Sequence, residues 1–130
     1  MSGGTDKAVQ AGREVDRHIF TQQVRPTITP ETIAEHRANP FGAGHSPGLE
    51  ILLRYLRRNP VPGEPRYVLL ETKPYQEWVI ARHPGGKAAP LAVTEARFTS
   101  QAEAQHAIFI ARLRDLGDPE VTRIVDAAAN

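Results

Sequence analysis

Arg66-Tyr67-Val68-Leu69-Leu70-Glu71-Thr72, Lys73-Pro74-Tyr75-Gln76 and Glu77-Trp78-Val79-Ile80-Ala81-Arg82-His83 decide the fold class. The first stretch holds an apolar run of strand-forming residues. The second has a turn composition. The third alternates, with Trp78 and Ile80 on one face and Val79 and Ala81 on the other. Pro84-Gly85-Gly86 reads as a second turn, and Leu91 and Val93 as a short third strand that Pro90 confines to an edge. The reading is a β-meander with two strong strands and one weak one.

Helical signals flank the meander on both sides. Downstream, Ser100-Gln101-Ala102-Glu103 has the form of a capping box. Ala104, Ala107, Ile108 and Ala111 make one apolar stripe, Phe109, Leu113 and Leu116 a second, and Gly117 suits the position just past a helix end. Asp118-Pro119 opens a last small helix through Val121, Ile124 and Val125. Upstream, Thr29-Pro30-Glu31 starts a short helix that Asn39-Pro40 stops near Ala38. Ser46-Pro47 starts another over about 47–58, with Leu49, Leu52, Leu53 and Leu56 on one stripe. Asn59-Pro60 and Pro62-Gly63 end it.

The fold class is therefore α+β: a small antiparallel meander packed by two main helices, with an extended N-terminal arm. The expected organisation is an arm over 1–28, flexible or wrapped on a partner, an α+β domain over 29–117, and a short helix or tail over 118–130. In the arm, Val9, Val15, Ile19, Phe20, Val24 and Ile28 read as too dispersed to close a core alone. Two stripes on the Ser100 helix exceed what three strands need, so some of that surface is expected against another chain.

Composition narrows the function. The chain has 130 residues, the size of one domain. It has no cysteine, which removes disulfides, thiolate metal sites and cysteine nucleophiles. Net charge is +1, unlike a dedicated polyanion binder. No stretch approaches the roughly 20 apolar residues of a membrane span, and the first 28 residues lack a signal-like apolar region, so a cytoplasmic location is expected.

Catalytic patterns are absent from the sequence. His18, His36, His45, His83 and His106 include no pair at i, i+3 or i, i+4, and no HExxH occurs. His106 reads as a hydrogen-bonded core or interface residue. Phe41-Gly42-Ala43-Gly44-His45-Ser46 precedes a helix start but meets no phosphate-loop pattern, and adjacent His45 and Ser46 do not make a dyad. From Arg54 to Lys87, seven basic residues face three acids, with Tyr67, Tyr75 and Trp78 interleaved. That would suit a nucleic-acid surface, but the balanced total charge makes nucleic acid an unlikely partner.

One ordered series carries a family resemblance. Asn39-Pro40-Phe41-Gly42, His45-Ser46-Pro47, Tyr55-x-Arg57-x-x-Pro60, Gly63, Tyr67, Trp78-Val79-Ile80-Ala81, Phe98 and Glu103-Ala104-x-His106-Ala107-x-Phe109 run in order over about residues 35–115. Together they resemble the small (alpha) subunit of bacterial N,N-dimethylformamidase. The resemblance implies an accessory, non-catalytic chain of a heteromeric amidohydrolase that splits N,N-dimethylformamide into dimethylamine and formate. It places the iron and the catalytic residues in a large partner subunit, as a heterodimer or higher assembly. It implies no cofactor, metal or catalytic residue in this chain. The expected partner contacts are Phe41, His45, Ser46, Tyr55, Arg57, Tyr67, Trp78, His106 and Phe109, because aromatics and arginines are the usual interface anchors. The alternative is a stand-alone nucleic-acid-binding or protein-interaction α+β module.

Overall fold

The computed structural model describes residues 17–58, 66–83 and 92–129. The expected breaks at Asn59-Pro60 and Pro62-Gly63, the Pro84-Gly85-Gly86 turn, Pro90, Leu91 and the arm up to residue 16 lie outside them.

Helix α1 (Pro30–Ala38) starts as its sequence dictates. The Thr29 hydroxyl accepts the Thr32 N–H and the Thr29 N–H donates to the Thr32 hydroxyl, a reciprocal cap. Helix α2 (Pro47–Arg57) is capped by the Ser46 hydroxyl, which accepts the Leu49 N–H at 3.3 Å. It buries Leu49, Leu52, Tyr55 and Leu56.

Strands β1 (Arg66–Lys73), β2 (Glu77–His83) and β3 (Ala92–Phe98) form one antiparallel sheet in the order β1-β2-β3. Register pairs Leu69 with Ile80, Glu71 with Trp78, and Trp78 with Phe98. The turn between β1 and β2 closes with a Gln76 N–H to Lys73 carbonyl bond at 2.9 Å, and Tyr75 takes a positive φ of 58°. The third strand runs to Phe98, well past the Leu91 and Val93 that signalled it. Its register shifts between Val79 and Ala81, where the Thr94 hydroxyl donates to the Ile80 carbonyl at 2.8 Å.

Helix α3 (Gln101–Asp115) starts at Ser100, whose hydroxyl accepts the Glu103 N–H; the reciprocal Glu103 bond of a capping box is not made. Helix α3 touches all three strands on one side and α1 and α4 (Pro119–Ala129) on the other. Ala104 and Ile108 of one apolar stripe and Phe109 and Leu113 of the other are buried inside the chain, while Ala107, Ala111 and Leu116 are half-buried. Much of the apolar surface of this helix is covered by the chain's own elements.

Much of that cover comes from outside residues 29–117. A π-helical turn (Phe20–Val24) and a 3-10 turn (Arg25–Thr27) lead into α1. Phe20, Val24 and Ile28, four residues apart, share one face and enter the same core as Leu49, Leu52, Leu113, Val121 and Val125. Asp118 ties the two ends together: it pairs with Arg25 and accepts the Glu120 and Val121 N–H groups at the start of α4. Burial opposes its charge, but the Arg25 hydrogen bond and these amides prevail and hold its carboxyl below the usual range.

Candidate functional site

The chemistry-bearing side chains gather where α1, the 39–46 loop, α2 and α3 meet. The loop is built from its own motif. A Cβ at Gly42 would meet the Asn39 side-chain amide, so glycine here lets that amide lie against the loop backbone. His45 Nε2 lies 2.7 Å from the Asn39 carbonyl and must carry the proton, since a carbonyl only accepts. The Ser46 N–H and hydroxyl donate to the two Glu35 carboxylate oxygens, each at 2.6 Å. The Ser46 hydroxyl and then its amide hold the Glu35 carboxyl below the usual range. Ser46 is thus a cap and a tether, with its hydroxyl proton already given to Glu35.

Behind the loop, His36 and His106 form a buried pair with Nδ1 atoms 2.8 Å apart. One ring must donate and the other accept, so both cannot be cationic. His36 stacks on Phe109, with centroids 4.0 Å apart and planes 14° apart. Burial, and then the His106 and His45 rings, push the His36 pKa down to about 4. Burial, and then the Arg37 charge, lower that of His106. His106, read from sequence as a hydrogen-bonded core or interface residue, is buried and hydrogen-bonded within the chain. Sequence reasoning missed His36, whose signal was its place three residues after buried Ile33 on α1.

Two clefts flank the pair. One of about 320 Å3 is bordered by His106, Ile33, Ala34, Ile110 and Ala128 and is mainly apolar. The other, of about 210 Å3, is bordered by His36, by Phe41 and His45 of the loop, by Arg57 of α2, and by Phe109 and Arg112 of α3. It brings together four of the nine expected contact residues: Phe41, His45, Arg57 and Phe109.

The other five are placed elsewhere. Ser46 lies behind the loop as a cap. Tyr55 is buried against Phe20, with ring centroids 5.6 Å apart. Tyr67 is half-buried and its hydroxyl donates to Asp115 of α3. Trp78 and His106 are buried. Of the nine, Phe41 and Arg57 are the exposed ones, Phe41 at 57%.

No group of three or more His, Asp or Glu side chains among the described residues could hold a metal ion. Their donor set does not fit a bound iron. No described helix is long and apolar enough to cross a membrane.

The N,N-dimethylformamidase alpha subunit family model matches residues 10–123. The chain belongs to that family. It is 33% identical over 89 residues to the N,N-dimethylformamidase alpha subunit of Paracoccus aminophilus, covering 67% of this chain and 61% of that protein. It is also 33% identical over 90 residues to the N,N-dimethylformamidase alpha subunit of an Alcaligenes species, covering 67% and 65%. The chain thus spans less than two thirds of the length of these curated relatives. The family match runs past the 35–115 of the motif series. It takes in the Phe20–Ile28 segment and the first turn of α4, and with them the core residues Phe20, Val24, Ile28 and Val121.

Proposed function

We propose that this chain is the non-catalytic small subunit of a heteromeric amidohydrolase that hydrolyses N,N-dimethylformamide or a close relative. The large subunit carries the iron and the reacting groups, and this chain serves assembly and stability in the cytoplasm. The observation that carries the reading is how the polar side chains of the site are spent. Ser46 donates to Glu35, His45 holds the Asn39 carbonyl, and His36 and His106 satisfy each other. None is left as a nucleophile with a free base beside it, which hydrolysis by this chain would need. The accessible part of the expected contact set, Phe41 and Arg57 with the rim of the smaller cleft, is where the large subunit docks.

The test uses the full chain and the large subunit purified separately. This chain alone releases no dimethylamine from dimethylformamide, and it raises the thermal midpoint or the activity of the large subunit when mixed with it. Turnover by this chain alone would overturn the reading, as would a large subunit indifferent to its presence.

A further inference from the structure

The smaller cleft is lopsided in charge. Arg57 and Arg112, each in the last turn of its helix, both line it, together with His36, His45 and Gln105. No acidic side chain lines it. Elsewhere, Arg25, Lys73, Arg114 and Arg123 each meet a carboxylate within 4 Å. Among the described residues the side chains of Arg57 and Arg112 meet no carboxylate and make no hydrogen bond; Arg54 and Arg58 are also without a carboxylate there, but Arg57 and Arg112 share one cleft. The exposed lining is more polar than apolar; Leu53, Leu56, Ile108 and Phe109 contribute its apolar part, and Phe41 stands exposed at the rim. Neutral His36 adds no competing positive charge at the floor.

We propose that this cleft is the socket for an acidic side chain of the large subunit, an Asp or Glu carried on an apolar-flanked segment. The proposal rests on the accessory-subunit reading and adds the chemistry of the contact. Two uncompensated guanidinium groups recognise a carboxylate through paired N–H donors, and the leucine, isoleucine and phenylalanine side chains that share the cleft flank such a contact. The exposed Phe41 ring at the rim favours a side chain projecting from a protein surface over a free small anion, because it supplies a flat apolar contact outside the cleft. Arg54, on the same helix but not lining the cleft, serves as the charge-matched control.

The test measures the affinity of the full chain for the purified large subunit, with circular dichroism confirming the fold of each variant. Arg57→Glu/Arg112→Glu weakens binding by at least about tenfold, Arg57→Gln/Arg112→Gln by less, and Arg54→Glu leaves it within about twofold. Raising salt from about 50 to about 300 mM weakens the wild type more than the Gln variant. If the wild type binds and the Glu variant binds equally, or Arg54→Glu loses as much, the socket is overturned while the accessory reading stands. If the wild type does not bind at all, both fall. Should the Glu variant misfold, the Gln variant decides by the same comparison.

Discussion

His36 and His106 set the acid limit of this fold. The His36 ring, with an ordinary value of 6.5, titrates near 4 when folded because burial and its imidazole neighbours resist charge. As pH falls below 6.5 the unfolded chain takes up a proton that the folded chain refuses. Stability therefore declines between about pH 6.5 and 4 and levels below, by about 3 kcal/mol at His36. Urea midpoints across pH 7.5 to 4.5 should trace this decline; a flat profile would contradict it. His36→Phe leaves a buried imidazole nitrogen of His106 without its partner and costs about 1–3 kcal/mol. His36→Phe/His106→Leu should cost less than the sum of the single changes and flatten the pH profile. This pair was half legible in the sequence. His106 sits in a strong helical pattern, whereas His36 sits on a short helix of weak amphipathicity with its partner 70 residues away. Local periodicity carries no information on such a pairing.

Among the elements, those with chemically explicit ends were the most legible. Thr29-Pro30, Ser46-Pro47 and Ser100 cap the helices they were expected to cap, and Gly117 takes the positive φ of 69° that a helix-ending residue needs. Ser46→Ala should destabilise the chain by about 1 kcal/mol through the lost α2 cap, and it also removes one of the two donors to Glu35. Gly117→Ala has open space around it, so its cost is conformational alone, about 1 kcal/mol. Denaturant midpoints check both. Strand β3 was the least legible element. Thr94, Glu95 and Arg97 dilute its apolar signal, and hydrogen bonding to β2 supplies what its own residues do not.

Across the whole molecule, the core joins both ends of the described chain. The segment read as an arm places Phe20, Val24 and Ile28 in the core, and the last helix adds Val121 and Val125. The four-residue spacing was visible; what it packs against, α2 and α4 far along the sequence, was not. Ile28→Ala, at a side chain 2% exposed, should cost about 2–5 kcal/mol in a denaturant titration. A cost below 1 kcal/mol would mean that this segment is a loose arm after all. The face that reaches solvent is narrower than the nine residues named from sequence, because burial in the chain's own core absorbs most of their aromatic surface.

On the proposed reading, this chain supports an amidohydrolase without performing its chemistry. The most direct measurement is dimethylamine release from N,N-dimethylformamide by the chain alone, by the large subunit alone and by the two mixed at increasing ratio. An accessory role gives no release by this chain, and activity or thermal endurance of the large subunit that rises and saturates as the chain is added. Release by this chain alone, or a large subunit unchanged at every ratio, would contradict it.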